Sequence, residues 1–303
     1  MKQKIYGVVP PIATPVDEEE RVDEKALRTL IDHCMEKGLH AIFVCGTNGE
    51  CMSLTQKERN RAIRITLDHV AGRVPVLAGC MDASTRRVID NVKAFEQMGG
   101  LTAVITSDFY SRHSSPAEVI RHVEAVAKNT EADLFVYNIP PFTGNTIPAS
   151  SVFEMAAFDH VVGYKDTGGN FAEFLRCLDH FRGTDFMLFQ GMTSLAGVSI
   201  LMGADGFIPN IAPVAPELCL KVYEYAVARD IEKLKVYSQL LMEAQDSFSS
   251  ARYGIAACKT AYSALGFMDK RMCLPSEPVA PEEEAKILAA LRAVEEKRKA
   301  LPF

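Results

Sequence analysis

The sequence alternates short apolar runs with amphipathic helical stretches, and the alternation occurs eight times. The runs are rich in β-branched residues and are bounded by turn-forming residues, which is typical of buried parallel strands. Eight strand–helix units predict an α/β fold, a (β/α)8 TIM barrel. A doubly wound sheet usually has fewer strands and carries an early GxGxxG turn, which this sequence lacks.

We expect strands at the eight apolar runs, at residues 7–13, 41–45, 74–78, 102–106, 133–137, 161–164, 186–190 and 205–209. Thr55 and Glu58 are predicted to form a capping box at the start of the second helix, and residues 138–144 to form a rigid loop. Three more helical stretches follow, at 231–248, 253–265 and 282–301. We therefore expect a barrel domain at 1–229 and a C-terminal three-helix extension at 230–303, packed on the barrel flank or between subunits.

The formal net charge of −6 argues against a general nucleic-acid-binding protein. Arg59, Arg61 and the pair at 86–87 are interpreted as parts of solvated helix faces. No apolar run is long enough to cross a membrane, and the N-terminus lacks the apolar core of a signal peptide. We expect a cytoplasmic protein without nucleic-acid or membrane partners.

The eight cysteines form no CxxC pair, and the seven histidines show no HExxH spacing. The cysteines are therefore interpreted as reduced core residues rather than disulfides or zinc ligands. Cys45 and Cys51 flank a glycine-rich loop and could be reactive, but the core interpretation is favoured. No metal site is expected.

A lone lysine, Lys165, ends the sixth apolar run, directly before the loop at 166–170. A buried ammonium group is costly unless it is paired with a carboxylate or loses its proton. A desolvated lysine with a lowered pKa can attack a carbonyl and form a Schiff base. The alternative at this point is a structural lysine that is paired with a carboxylate.

The active site of a barrel of this kind lies at the C-terminal ends of its strands. The alternation therefore predicts which residues converge there: Thr14, the loop at 46–50, Tyr110, Tyr137, Lys165, Gln190 and Asn210. The set contains a candidate nucleophile, two phenols and a loop that is rich in backbone donors.

Four short motifs at these strand ends resemble those of a known family. They are GTNGE at 46–50, YNIP at 137–140, GYKD at 163–166 and GADG at 203–206. Their order and spacing are similar over the whole chain to the dihydrodipicolinate synthase and N-acetylneuraminate lyase superfamily of Schiff-base aldolases. A glycine loop alone would be weak evidence, whereas four motifs at consistent strand ends are strong.

The resemblance implies that Lys165 condenses with the ketone of pyruvate or another 2-oxo acid, and that no cofactor is needed beyond this imine. Tyr137 would move protons at the substrate hydroxyl. Thr47 would link Tyr137 to Tyr110, which in the family reaches into a neighbouring subunit's site. A homo-oligomer follows, at least a dimer and in our prediction a dimer of dimers (a homotetramer).

The remaining site residues are predicted from the same resemblance. The backbone N–H groups of Thr47 and Asn48, after Gly46, would hold the substrate carboxylate. Glu50 would fix this loop by hydrogen bonds, Gly163 would keep its strand slim beside the substrate, and Asp166 and Thr167 are interpreted mainly as a cap of the next helix. The residues expected near the second substrate are Phe142, Gln190, Thr193, Ile208 and Asn210.

Two departures from the family bear on the second substrate. Dihydrodipicolinate synthases carry a carboxylate-binding arginine at the position of Phe142, and a phenyl ring cannot pair with a carboxylate. Sialic acid lyases carry an acidic pair after strand seven, where this chain has 192–194, Met-Thr-Ser. Asn48 also replaces a threonine of the loop, but its backbone N–H is retained.

We therefore expect a pyruvate-dependent aldolase or lyase that acts on a 2-oxo-3-deoxy sugar acid or a similar aldol of pyruvate and an aldehyde. The less charged pocket suits a neutral aldehyde, either a hydroxy-aldehyde or an aromatic aldehyde. A dehydratase working through the same imine remains open. One alternative is a dihydrodipicolinate synthase in which another cation, with Arg112 as the candidate, binds the carboxylate of aspartate semialdehyde. A second alternative is a non-catalytic sugar-acid-binding homologue.

Overall fold

The computed structural model describes residues 4–113 and 115–301. Its eight strands are parallel and form one sheet in the order β1-β8-β7-β6-β5-β4-β3-β2. The strands are β1 (Gly7–Val8), β2 (Ile42–Val44), β3 (Val76–Gly79), β4 (Thr102–Thr106), β5 (Asp133–Asn138), β6 (Val161–Asp166), β7 (Met187–Gln190) and β8 (Gly206–Phe207).

The sheet closes on itself through the segment that follows β1. Pro11 bridges Phe43 in parallel, and Ile12 N–H donates to the Phe43 carbonyl oxygen at 3.0 Å. The predicted TIM barrel is confirmed. The first and last strands are shorter than predicted, at two residues each, although Val9 N–H after β1 still donates to the Phe207 carbonyl oxygen at 3.0 Å and Ile208 N–H after β8 to the Gln190 carbonyl oxygen at 2.9 Å.

Twelve α-helices are present among the described residues. They are α1 (Glu24–Glu36), α2 (Gln56–Val70), α3 (Thr85–Gln97), α4 (Pro116–Ala127), α5 (Pro140–Thr143), α6 (Ala149–Met155), α7 (Phe171–His180), α8 (Ala196–Leu201), α9 (Pro216–Ala228), α10 (Ile231–Asp246), α11 (Gly254–Ala264) and α12 (Pro281–Lys299). The short helix α5 lies in the segment expected to be a loop, where two consecutive prolines supply helical φ angles at the first turn. None of the described helices combines the length and the apolar character needed to cross a membrane.

Apolar side chains fill the barrel from within and separate it from its helices. The interior cluster includes Phe43, Phe135 and Phe189, and the last two rings meet edge to face with centroids 5.7 Å apart. The larger cluster lies between the strands and the surrounding helices. The bottom of the barrel is therefore a packed core, which confines the site to the other end.

Two predictions about α2 are wrong in detail. Thr55 does accept a hydrogen bond from Glu58 N–H, but the Glu58 carboxylate accepts from Val22 N–H at 2.7 Å rather than completing a capping box. Arg59 is not on a solvated face: it is 4% exposed and donates to the Met81 carbonyl oxygen at 3.0 Å. Its guanidinium thereby links α2 to the end of β3.

The three predicted C-terminal helices are present as α10, α11 and α12. Helix α10 packs against α9 and α12, and α11 packs against α12. The start of α11 and the end of α10 also border the mouth of the barrel. The extension therefore contributes to the site as well as covering the barrel flank.

Candidate active site

Lys165 lies on β6 beside Tyr137 on β5. The two residues are register partners in the parallel pair, so their side chains point to the same face of the sheet. The Lys165 Nζ atom lies 3.8 Å from the centroid of the Tyr137 ring and 5.1 Å from that of Phe43. The strand register alone therefore brings the candidate nucleophile to the candidate proton donor.

Lys165 is buried, with 4% of its surface exposed. In the described part of the chain no carboxylate lies within ion-pair distance of Nζ, which excludes a carboxylate-paired structural lysine. Burial lowers the pKa of Lys165 to about 7. The aromatic faces favour the ammonium form, but the cost of desolvation exceeds this attraction. A large fraction of the amine is therefore neutral near pH 7.

Tyr137 is also buried, and two hydroxyl groups adjoin its phenol. Thr167 Oγ1 donates to Tyr137 Oη at 3.4 Å, and the Thr47 side chain lies on the same cavity wall. Burial raises the pKa of Tyr137 to about 12 against the lowering effect of these two hydroxyl groups. The phenol therefore carries its proton and can donate it.

The interpretation of Asp166 and Thr167 as a helix cap is wrong. Helix α7 is capped by Asn170, whose side chain accepts from Glu173 N–H. Asp166 belongs to β6 and points away from Lys165, where its carboxylate accepts from Asn138 Nδ2 at 2.7 Å and from the Tyr164 hydroxyl at 3.1 Å. Thr167 lines the cavity instead. Successive side chains of a strand point to opposite faces, so Asp166 and Thr167 lie on different sides of the sheet. This alternation could have shown from the sequence that Thr167 and not Asp166 faces the cavity.

The loop at 46–50 forms a single 3-10 turn, Thr47–Gly49. The N–H groups of Thr47 and Asn48 are the first two of this turn, so they have no partner within it. Asn48 Nδ2 donates to the Pro11 carbonyl oxygen at 2.7 Å, which fixes the turn to the neighbouring segment after β1. The arrangement leaves a pair of unpaired backbone donors on residues that line the same cavity as Lys165, as a bound carboxylate requires.

The same turn is held in an unfavourable backbone conformation. Cys45 before it and Glu50 after it have φ angles of 52° and 51°, in the left-handed region that non-glycine residues rarely occupy. Glu50 forms a buried ion pair with Lys259 of α11, and its Oε1 accepts from Cys273 N–H at 3.0 Å. Glu50 thus fixes the loop, through the C-terminal extension.

A cavity of about 470 Å³ opens above Lys165, within the usual range for ligand sites. Its lining residues include eight of the predicted ones: Thr47, Asn48, Tyr137, Phe142, Lys165, Thr193, Ile208 and Asn210. Among the described lining residues, the charged ones are Lys165 and Asp246. The cavity therefore has a reactive, buried end and a polar, open end.

Thr14 does not line the cavity, because it is buried and its Oγ1 donates to the Gly49 carbonyl oxygen at 2.8 Å. Three of the residues predicted to react with or bind the substrate do not line it either. Gln190 is fully buried and turned away, because its Nε2 donates to Ser199 Oγ at 3.2 Å and its Oε1 accepts from Met192 N–H at 2.8 Å. Gly46 lies against the Phe43 ring, which an added Cβ would approach to 2.8 Å. Tyr110 is 98% exposed, so within one chain it does not complete a relay with Thr47.

Gly163 leaves space for the barrel core rather than for a substrate. A Cβ there would lie 2.5 Å from the Phe135 ring and 2.9 Å from the Met187 carbonyl oxygen. The lack of a side chain therefore permits the close packing of β6 between β5 and β7. Gly163 lies two residues before Lys165 on the same face of β6.

Sequence reasoning missed the residues that the C-terminal extension brings to the cavity. Met242, Gln245 and Asp246 come from the end of α10, and Tyr253 and Ile255 come from the start of α11. The amphipathic pattern of a helix shows which face is covered, but not which partner covers it.

The cysteines are not part of the site. All eight are free and buried, and burial raises the pKa of Cys45 to about 12 and that of Cys51 to about 11. Their thiols remain protonated at neutral pH, which confirms the core interpretation. Across residues 4–113 and 115–301, no group of His, Cys, Asp and Glu side chains is arranged to hold a metal ion.

The sequence profile of the Dihydrodipicolinate synthetase family matches residues 4–294. The chain belongs to this family. The 4-hydroxy-tetrahydrodipicolinate synthase of Dechloromonas aromatica is 31% identical over 291 residues, which cover 95% of this chain and 98% of that protein. A DapA-like lyase of Halobacterium salinarum is 30% identical over 266 residues, covering 87% and 85%.

Solved structures of the dihydrodipicolinate synthetase family share the same fold. YagE, a prophage protein of this family from E. coli K12 that was crystallised with pyruvate, superposes with a TM-score of 0.90 at 25% identity, covering 96% of this chain and 98% of that one. Family members are lyases, and this chain is an enzyme of that class.

Proposed function

We propose that this enzyme is a pyruvate-dependent class I aldolase or lyase in which Lys165 forms a Schiff base with a 2-oxo acid. The observation that carries the proposal is the buried, carboxylate-free Lys165 beside Tyr137. Pyruvate is bound in the structures of YagE and of the Acinetobacter baumannii dihydrodipicolinate synthase. Both relatives support a 2-oxo acid as the first substrate.

The chemistry follows from the protonation states of the two groups. Neutral Lys165 attacks the C2 carbon of the 2-oxo acid, and the Tyr137 phenol supplies the proton with which the carbinolamine hydroxyl leaves as water. The resulting iminium ion accepts the electron pair of the C3–C4 bond of an aldol substrate. Tyr137, then a phenolate, takes the C4 hydroxyl proton as the aldehyde leaves, and the enamine of pyruvate remains. Tyr137 returns this proton to C3 of the enamine, and water hydrolyses the resulting imine to release pyruvate.

The substrate carboxylate would lie against the 3-10 turn of the loop at 46–50. The backbone N–H groups of Thr47 and Asn48 are available there and lie at the positive end of a helical turn. Because the turn is anchored through Glu50, these donors need no reorganisation when the acid binds.

The second substrate is proposed to be an uncharged aldehyde, so that the aldol is a 2-oxo-3-deoxy sugar acid or a similar compound. Phe142 lines the cavity at the position where the family's synthases carry an arginine. Arg112 is exposed and lies beside Gly144, outside the residues that line the cavity. In the described cavity wall nothing but Lys165 is cationic, and Lys165 is consumed by the imine.

The names of several relatives favour a second candidate, the condensation of pyruvate with aspartate semialdehyde by a 4-hydroxy-tetrahydrodipicolinate synthase. We expect little product from this pair, because the semialdehyde carboxylate finds no cation. Phe142→Arg should raise kcat/KM for aspartate semialdehyde and leave the KM for pyruvate unchanged. Efficient turnover by the parent enzyme would establish the second candidate instead.

We further propose a homo-oligomer in which Tyr110 of a second copy completes the relay. Tyr110 projects into solvent with a φ of 79°. A second cavity of about 270 Å³ adjoins the site, shares Thr47 with it, and is walled by Met52, Met81 and Phe109. An inserted phenol ring would bury its apolar faces there and bring its hydroxyl toward Thr47.

Reductive trapping tests the proposal. The protein is incubated with pyruvate and borohydride, digested, and analysed by mass spectrometry, and we expect a reduced adduct on the peptide that contains Lys165. Lys165→Ala should lose the adduct and keep the circular dichroism spectrum and unfolding transition of the parent. Absence of an adduct in the parent would exclude the aldolase and the synthase together, in favour of a non-catalytic binding protein.

A further inference from the structure

The open end of the cavity is built by α10 together with the loop after β7. Thr193 Oγ1 donates to Gln245 Oε1 at 3.1 Å, so the loop and the helix are joined across the cavity rim. Gln245 and Asp246 both line the cavity. The rim lies at the end of the cavity opposite Lys165. The tail of an aldol bound to Lys165 would extend toward this rim.

Two side chains of this rim have polar atoms without a hydrogen-bond partner among the described residues. The Gln245 amide uses one atom toward Thr193, which leaves the other free. The Asp246 carboxylate is exposed and forms no side-chain hydrogen bond or ion pair with the described residues. One donor and one anionic acceptor on the same cavity rim match the hydrogen-bonding pattern of neighbouring hydroxyl groups.

Asp246 makes no capping contact with the helical backbone. It is the last residue of α10, and the chain continues directly into a 3-10 turn, Ser247–Ser250, whose N–H groups receive no hydrogen bond from the Asp246 side chain. An uncompensated carboxylate at this position gains nothing structural from the contacts that the structure shows. It does set a negative potential at the cavity mouth, which opposes an anionic tail.

We propose that Gln245 and Asp246 form a tail subsite that binds the hydroxyl groups of a polyhydroxylated aldehyde and disfavours an anionic one. The inference rests on the proposed aldolase function and specifies its second substrate by chemistry. The subsite lies on the C-terminal extension, whereas the imine-forming residues lie on the barrel. The two can therefore be altered separately.

The test compares condensation of pyruvate with D-glyceraldehyde, with propanal of the same carbon count, and with the anionic succinic semialdehyde. We expect the parent to favour glyceraldehyde over propanal in kcat/KM. Asp246→Asn and Gln245→Ala should each reduce this preference by about tenfold, the size expected for a hydrogen bond to a charged or polar group. Asp246→Asn should also raise kcat/KM for succinic semialdehyde.

Matched controls lie on the same helix outside the cavity. Gln239→Ala removes an amide and Glu232→Gln removes a carboxylate, both from exposed surface pairs. Both variants should keep the aldehyde preference of the parent unchanged. The KM for pyruvate and the borohydride adduct on Lys165 should be unchanged in all four variants.

The outcomes separate the two proposals. If the parent forms the Lys165 adduct but shows no preference for glyceraldehyde, or if Asp246→Asn and Gln245→Ala retain that preference, the tail subsite is overturned and the aldolase stands. If the parent forms no adduct with pyruvate, the aldolase fails and the subsite fails with it.

Discussion

Lys259 of α11 and Glu50 of the loop after β2 form an ion pair in which both side chains are buried, with 0% and 2% of their surfaces exposed. Lys259 also donates to the Arg271 carbonyl oxygen at 2.8 Å. The pair connects the turn proposed to bind the substrate carboxylate with the C-terminal extension. Positioning of that turn therefore depends on residues about 210 positions later in the chain.

Breaking this pair on one side should be costly. Lys259→Met leaves the Glu50 carboxylate buried without a counter-charge, and we expect a loss of about 3–5 kcal/mol in the free energy of unfolding, measured by urea denaturation. The KM for pyruvate should rise because the turn loses its support. Glu50→Gln combined with Lys259→Met should recover much of the lost stability.

A surface pair provides the control for this prediction. Lys37 and Glu217 are 2.9 Å apart, with exposed fractions of 43% and 42%, and Lys37→Met should cost about 0–1 kcal/mol. Equal losses in Lys37→Met and Lys259→Met would show that burial does not determine the contribution of the Glu50 pair.

The lowered pKa of Lys165 predicts a pH dependence of imine formation. The rate of borohydride trapping should rise with pH through about 7 and then level off, because the neutral amine is the nucleophile. An ordinary lysine would give a rate that still rises above pH 9. Trapping rates with saturating pyruvate between pH 5.5 and 9.5 distinguish the two profiles.

The same pKa predicts a stability difference. Between about pH 7 and the ordinary lysine value of 10.5, the unfolded chain holds a proton at position 165 that the folded chain lacks. The free energy of unfolding attributable to Lys165 therefore rises with pH across this window. Lys165→Met should lack that rise, so the stability of the parent relative to the variant should increase from pH 7 to pH 9. A constant difference would contradict the prediction.

Removing the phenol of Tyr137 should affect proton transfer more than binding. We expect Tyr137→Phe to lower kcat by roughly 10²–10⁴-fold while the KM for pyruvate changes little, as measured by steady-state kinetics. Thr167→Val keeps the shape of the side chain but removes the hydrogen bond to Tyr137 Oη, and it should lower kcat by a smaller factor. If Thr167→Val keeps the kcat of the parent, the Thr167 hydroxyl takes no part in proton transfer and its role is structural.

Tyr110 should contribute to association between copies of the chain. We expect Tyr110→Ala to weaken association by at least 2 kcal/mol, as buried aromatic anchors do, detected as a concentration-dependent shift in sedimentation velocity. Leu101→Ala, a change at another exposed residue (62%), should leave the distribution unchanged. A monomeric parent protein would contradict the oligomer proposal.

The barrel and the place of Lys165 could be predicted from the sequence because both follow from periodicity. Strand ends in a parallel barrel share one rim, so Tyr137 and Lys165 had to meet once their strands were recognised. Gln190 shows where this rule ends. It lies at the same end of the barrel, but hydrogen bonds with Ser199 Oγ and Met192 N–H orient its amide away from the cavity. A local sequence pattern does not show such partners.

The errors at Glu58 and Arg59 have a similar cause. Both residues sit where local rules favour a cap or a solvated face, but tertiary partners compete for their side chains: Val22 N–H for Glu58 and Met81 O for Arg59. The rim residues of α10 were missed because helix amphipathicity does not identify the partner of a face.

The placement of α10 and α11 at the cavity mouth has a consequence for how such an enzyme can diversify. The bond-forming groups lie on β5 and β6, whereas much of the outer wall is encoded more than 70 residues later, by 242–255. Substitutions in that late segment can reshape the entrance while Lys165 and its register with Tyr137 stay intact. A combinatorial library restricted to 242, 245, 246 and 253 should thus yield folded, imine-competent proteins with new aldehyde ranges.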